Sequence, residues 1–563
     1  MKKNIYLLML LLVAFQWVAE AAPAYAFRVR FKDKNGTLTF ADSLQFLSPK
    51  ALARRSFQGI ALDSTDLPVV PAYIDSVMNT AAAVKLHNVS KWFNQIVVIT
   101  MDSSKVNDIL NLPMVSSATC VGVYANGIFQ ISNSTTTSSS KYPEVNGNYA
   151  EKTRGTSAYY GYTYQQVDIM EADCLHDLGF QGQGMDIAVF DVNFRYANSC
   201  YYFDSMNTQN RVKDMYNFVK DTAFVFSTSI NSGHGKDALS CMAGNIPGTY
   251  VGTAPLANFY LYNTEDVGGE RPIEEDNWLS AAERADSIGV RIVNSSLGYN
   301  SYDAPLTNQS YNYTTHLDGK TTMIAQALNK LSSKGVLVVQ AQGNEGCANW
   351  HYMLTPADAD SAFSVGSVDG SGVWACSGYG PNSAGRVKPD VVCMGKAVML
   401  VQDNCLLPGA ANGSSFASPT MCGAVACLWQ AFPTKSAYEI KQIIRMSADR
   451  YTSPNNTEGY GIPNFCKAYG IATNTTDIKN ISNSFALYPN PTVDGVFQVK
   501  SFLSSPQPFS YSVYSMDGKR LYQSSQMVHT EFESDVLRTM PSGNYILGIH
   551  TLTQYFSTTV TRQ

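Results

Sequence analysis

Between about residues 155 and 475 the chain alternates short, mostly apolar runs with longer helix-like stretches, and this alternation restricts the fold more than any other feature. The runs are Ile187-Ala188-Val189-Phe190, Phe259-Tyr260-Leu261-Tyr262, Val290-Arg291-Ile292-Val293, Val336-Leu337-Val338-Val339 and Phe363-Ser364-Val365. Runs that lack polar alternation suit strands covered on both faces. Residues 278–287 and 322–331 read as helices between them. Strand, helix, strand at this spacing predicts an α/β domain, a mostly parallel sheet with helices on both faces. Reactive groups in such a sheet are expected at the carboxyl ends of its strands.

The flanks have different patterns. Residues 1–26 read as a secretory signal peptide: Lys2 and Lys3, an apolar stretch over 5–17, and Ala24-Tyr25-Ala26 as the cleavage signal. That stretch is too short to span a bilayer, and no later segment is expected to cross one. Residues 27–140 read as a small α/β unit. It has strands at 27–31 and 92–99, helices at 47–55 and 106–110, and a Ser/Thr-rich linker over 132–141 at its end. Residues 477–563 read as a small all-β sandwich, because Tyr488-Pro489-Asn490-Pro491, Met516-Asp517-Gly518 and Met540-Pro541-Ser542-Gly543 punctuate alternating runs. His529 and His550 in this part are expected at its surface.

A net charge of −5 over 563 residues, with no basic block, argues against nucleic acid or anionic membrane as partners. None of the eleven cysteines forms a C-x-x-C pair, so zinc has no support. Export permits disulfides. Cys422 and Cys427 lie on an apolar helix and are expected to be buried thiols.

The chemistry concentrates on Gly413-Ser414-Ser415-Phe416-Ala417-Ser418-Pro419. Residues 418–432 read as a small-residue helix with Pro419 in its first turn, where the missing N–H costs nothing. The amino end of such a helix favours negative charge on Ser415. A Ser-rich turn alone is ordinarily a helix cap. A serine nucleophile also needs a base, and the base an orienting acid. His234 sits in Asn231-Ser232-Gly233-His234-Gly235, where glycines permit close backbone approach, and Asp191 ends the run 187–190.

Together these segments resemble the subtilase (subtilisin-like) serine proteases, whose triad runs in the order Asp, His, Ser. Gln342-Gly343-Asn344-Glu345-Gly346 resembles the family segment that carries the oxyanion-hole asparagine, which would be Asn344. Val293-Asn294-Ser295-Ser296-Leu297-Gly298 resembles the substrate-pairing strand, which implies substrate binding by Ser295, Ser296, Leu297 and Gly298. Gly252-Thr253-Ala254-Pro255 and Lys388-Pro389-Asp390 also look like the family. The resemblance implies a secreted serine endopeptidase made as a zymogen, acting on proteins or peptides through Asp191, His234, Ser415 and Asn344. It implies that residues 27–140 are a pro-domain acting as an intramolecular inhibitor. The domain at 477–563 resembles type IX secretion sorting domains. That implies contact with secretion machinery and export through the periplasm of a Gram-negative cell to the surface or medium. No cofactor is expected. Structural calcium is common in the family, but no Asp-rich loop has its ligand spacing.

The chain departs from the family pattern at Ser414 (usually Thr), Phe416 (usually Met), Lys236 (often Thr), Val192 and Gln342, so pocket shape and turnover are expected to differ. An α/β-hydrolase elbow, G-x-S-x-G, is excluded because residue 417 is Ala.

Overall fold

The structure, a computed structural model, describes residues 23–36, 38–80, 84–124, 158–403, 405–474, 485–501, 509–515, 520–524, 531–551 and 555–563. The apolar leader, the Ser/Thr linker and His529 lie outside these residues.

The first unit is a four-stranded antiparallel sheet in the order β2-β3-β1-β4. Its strands are β1 (Ala24–Phe31), β2 (Lys85–Ser90), β3 (Gln95–Thr100) and β4 (Val115–Tyr124), and its helices are α1 (Pro49–Phe57), α2 (Pro71–Met78) and α3 (Lys105–Leu110). Ser48 caps α1 by accepting from Ala51 N at 3.1 Å, and Pro49 opens the helix. Two expectations shift. β1 begins at Ala24, which pairs with Tyr124, and Trp92 to Asn94 form a turn ahead of β3.

The central unit runs through α4 (Tyr164–Asp168), α5 (Asp173–Asp177), β5 (Asp186–Asp191), α6 (Asp204–Thr208), β6 (Val212–Asn217) and α7 (His234–Ala243). A small hairpin, β7 (Asn245–Ile246) and β8 (Tyr250–Val251), leads to β9 (Asn258–Asn263), α8 (Ile273–Ile288) and β10 (Ile292–Ser295). Then come α9 (Tyr313–His316), α10 (Met323–Ser333), β11 (Leu337–Ala341), β12 (Phe363–Val368) and β13 (Val391–Met394). A second hairpin, β14 (Val398–Val401) and β15 (Pro408–Ala411), precedes α11 (Ser414–Ala431), α12 (Ala437–Ser447) and α13 (Phe465–Asn474).

Seven of these strands form one parallel sheet, β13-β12-β11-β10-β5-β9-β6. Alternate residues of each strand face opposite layers. Ile187, Val189 and Val339 pack with Met421, Val425 and Leu428 of α11. Ala188, Phe190 and Val338 pack with Trp278 of α8 and Leu328 of α10. Both faces are therefore buried at β5 and β11, which is why these strands carry no polar alternation, whereas the edge strand β6 is polar and only partly covered. Three disulfides, Cys174–Cys466, Cys200–Cys405 and Cys347–Cys376, cross-link this unit, while Cys422 and Cys427 are buried free thiols.

The first unit docks on the α8 side through polar groups. Arg28 forms an ion pair with Asp276 at 2.6 Å. Glu283 accepts from Ser90 Oγ (2.6 Å), Lys91 N (2.9 Å) and Trp92 N (3.0 Å). Arg55 bridges Asp66 at 2.8 Å and Asp286 at 2.5 Å, Arg54 also pairs with Asp286, and Lys334 reaches Asp63 and Asp66 at 3.0 Å each.

The last unit has two antiparallel sheets. One orders β16 (Phe485–Tyr488), β17 (Phe497–Ser501) and β20 (Glu531–Ser534) as β16-β17-β20. The other orders β18 (Phe509–Ser515), β19 (Arg520–Gln523), β21 (Gly543–Thr551) and β22 (Tyr555–Arg562) as β19-β18-β21-β22. Phe485, Phe497 and Val499 of the first share a core with Val513, Leu547 and Val560 of the second, as in a sandwich. Among the described residues, no helix is long and apolar enough to cross a membrane.

Candidate active site

Three elements bring the predicted groups together. Asp191 is the last residue of β5 and fully buried. Its Oδ1 accepts from Val192 N at 2.8 Å and lies 2.6 Å from His234 Nδ1. His234 is the first residue of α7. Next to it, Gly235 N donates to Val192 O at 2.9 Å, and a Cβ at Gly235 would stand 2.6 Å from that oxygen. A side chain there would push α7 off β5, so the glycine sets the His–Asp distance. Burial opposes charge on His234. The charge and hydrogen bond of Asp191 outweigh it, and the imidazole pKa stands above its usual 6.5.

Ser415 is the second residue of α11, not part of a turn before it, and Pro419 stands one turn inside the helix. The helix begins early because Gly413, at φ 148°, turns the chain so that Phe416 N bonds Gly413 O at 3.1 Å. Pro419 has no N–H to give the Ser415 carbonyl four residues back. Ser296 Oγ supplies the donor instead, at 2.8 Å, and Ser415 Oγ donates to Ser296 O at 3.3 Å. Ser418 Oγ donates to Asn294 Oδ1 at 2.8 Å, and Asn294 Nδ2 to Ser296 Oγ at 3.1 Å. The first turn of α11 is thus fastened to β10.

Asn344 follows β11 and is exposed. Ser414 N donates to its Oδ1 at 2.7 Å, with Ser414 Oγ 3.0 Å from the same atom. Gly343 N donates to Ser414 Oγ at 3.1 Å. With Oδ1 held in this way, Nδ2 is the donor left for a ligand. Ser414, read from sequence only as a departure from threonine, is the residue that orients Asn344. The hydroxyl common to both residue types was the available signal.

The segment expected to bind substrate divides. Ser296 meets Ser415, and Gly298 lies against Leu354. Ser295 is turned away and accepts from Trp278 Nε1 at 3.1 Å, and Leu297 is buried in the α8 layer. Strand alternation accounts for the split.

Lys236, in the first turn of α7, is buried and pairs with Asp237 at 3.0 Å and Asp403 at 2.7 Å. Burial pushes the Asp237 carboxyl up, against the pull of Lys236. Asp403 lies just beyond β14, also reaches Arg195 at 3.4 Å, and would be 2.6 Å from a Cβ at Gly233. The β14–β15 connection therefore flanks His234, held by the Cys200–Cys405 disulfide and by Tyr201 and Tyr202, whose hydroxyls donate to Leu406 O at 3.2 Å each. Sequence reading missed Asp403, because its partners lie 167 and more residues away.

Glu265, Glu270 and Glu274 each bring a carboxylate oxygen within 4.8 Å of the others. Glu274 accepts from Asp266 N at 2.8 Å and Arg271 N at 3.1 Å, and Glu265 accepts from Tyr299 OH at 2.5 Å. Glu274, in the first turn of α8, thus ties the preceding 266–271 segment to the helix, while Glu265 is tied to Tyr299.

A sequence model of the subtilase family matches residues 182–461. Models of the peptidase S8 propeptide domain of Bacteroidota and of the secretion system C-terminal sorting domain match residues 26–140 and 486–561. The chain is similar to subtilisin BL of Lederbergia lenta, 28% identical over 301 residues that make up 52% of this chain and 93% of that one. It is similar to alkaline elastase YaB of Bacillus sp. (strain YaB), 27% identical over 301 residues, or 52% of this chain and 66% of that one. Fervidolysin from Fervidobacterium pennivorans, a keratinolytic enzyme related to subtilisin, shares the fold with a TM-score of 0.51 at 14% identity, over 93% of this chain and 70% of that one.

Proposed function

Residues 182–461 belong to the subtilase family of serine proteases, between a propeptide domain and a secretion sorting domain, and from that premise we propose an endopeptidase, made as a zymogen, that cuts peptide bonds with Asp191, His234 and Ser415. One observation supports this most: a buried carboxylate stands 2.6 Å from His234 Nδ1, and the ring of Phe416, the residue after Ser415 in the first turn of α11, lies 5.5 Å from the imidazole. Ser415 Oγ attacks the substrate carbonyl while His234 Nε2 takes its proton. The imidazolium is stabilised by Asp191. Asn344 Nδ2 and the Ser415 N–H receive the developing oxyanion, helped by the amino end of α11. His234 then protonates the leaving amine, and water releases the acyl group by the reverse sequence. At rest the Ser415 hydroxyl is turned to Ser296 O, and it must swing to His234 for attack. All charge stabilisation in this scheme comes from protein groups.

The pro-domain is the intramolecular inhibitor, removed on maturation. The sorting domain addresses the chain, after signal-peptide removal at Ala26, through the periplasm of a Gram-negative cell to its surface or medium. The test is to express the wild type and Ser415→Ala and follow chain size and casein hydrolysis. The expected wild type sheds about its first hundred residues and digests casein, while the alanine form loses kcat on the order of 10⁶-fold. Casein left intact by wild type freed of its pro-domain removes the proposal.

A further inference from the structure

The leaving amine must face His234, which returns a proton to it. The acyl half of the substrate therefore lies against the other neighbours of Ser415. These are two chain segments. One runs from Ser296 to Gly298, and its Ser296 carbonyl holds the Ser415 hydroxyl at 3.3 Å. The other is Gly343 and Asn344, fastened to Ser414. The side chain next to the cut bond must enter the slot between them.

One side chain closes that slot. A Cβ built at Gly298 would stand 2.7 Å from Leu354 Cβ, and one at Gly343 would stand 2.7 Å from Leu354 Cγ. Leu354 therefore reaches from one wall to the other, and both walls are glycine where it touches them. It is half-buried, as a residue lining an open cleft should be. Its backbone has little freedom to retreat. Leu354 N donates to Gln342 O at 3.2 Å, Ala357 N donates to Leu354 O at 2.9 Å, and Thr355 pairs with Tyr299 in both directions at 2.8 and 3.1 Å. Met353 and Thr355 on either side are fully buried.

We propose that Leu354 is the floor of the pocket for the residue preceding the cut bond, and that it limits cleavage to sites after glycine, alanine or serine. This rests on the triad reading above. A methyl or hydroxymethyl group fits over the Leu354 isobutyl group, whereas a phenyl ring or a lysine chain has to displace it. One methylene in an apolar pocket changes kcat/KM by about 10- to 200-fold, so a ring should be strongly disfavoured.

The experiment compares the processed enzyme on peptide anilides that differ only in the residue before the cut (Ala, Leu, Phe or Lys), and maps cuts in denatured casein by mass spectrometry. The expected kcat/KM for Ala exceeds that for Phe by about tenfold or more, and Leu354→Gly raises the Phe-to-Ala ratio by at least about tenfold. A wild type that prefers Phe or Lys overturns the proposal, as does a folded Leu354→Gly enzyme with an unchanged ratio. Should that variant fail to fold, the wild-type casein cuts decide: clustering after Gly, Ala and Ser supports Leu354 as the floor, and cuts after large residues overturn it. Casein cut at the wrong residues sinks this inference alone. Casein and anilides both left intact sink the peptidase reading with it.

Discussion

At the residue scale, the His234–Asp191 pair has a direct consequence for pH. The imidazole pKa is raised above 6.5 because the neighbouring carboxylate outweighs burial. His234 must be neutral to accept a proton, so kcat/KM is expected to climb through an acid limb centred above pH 6.5. A limb centred below that value would contradict the buried pairing. For stability the sign reverses: a raised histidine pKa favours the folded chain below the unfolded value and loses that advantage as pH rises through the folded one. The residues proposed as the triad stood out in the sequence because each sits in its own local motif: a strand end, a glycine-flanked turn and a small-residue helix start. Ser414 and Leu354 were not, because their roles arise from contacts across the sheet. Ser414 meets Asn344 from 70 residues away.

At the element scale, α11 and β10 depend on each other. Pro419 leaves the buried Ser415 carbonyl without its helical donor, and Ser296 replaces it at 2.8 Å. Ser296→Ala should therefore destabilise the domain by about 1–3 kcal/mol, read as a lower urea midpoint in a Ser415→Ala background that cannot digest itself. An unchanged midpoint would mean that the carbonyl is satisfied in another way. Parallel strands were legible because burial on both faces removes polar residues from the run. Helix starts were less so: the Gly413-Ser414-Ser415 segment has turn composition, yet the φ of 148° at Gly413 lets the helix begin there. At Ser295 and Leu297 the sequence named the strand, and the structure adds that their side chains turn into the α8 layer.

At the scale of the whole molecule, the first unit is joined to the second by buried charge. Asp286 of α8 holds both Arg54 and Arg55 of the first unit, and all three are buried. Removing one partner of such a group leaves the others charged and dry. Asp286→Ala in the full-length Ser415→Ala chain is expected to cost about 3–5 kcal/mol, seen as earlier release of the first unit in a urea titration followed by limited proteolysis. Simultaneous unfolding at the wild-type midpoint would show that the network contributes little. A different tie governs the other side of the site. The Cys200–Cys405 bond joins the loop after Asp191 to the hairpin that runs into Ser415. In a reducing compartment these two thiols stay apart, and the wall beside His234 is held by hydrogen bonds and ion pairs alone. The hairpin locks only where thiols oxidise, so the cleft takes its final shape according to where the chain is, and a copy retained inside the cell keeps a loose-sided cleft.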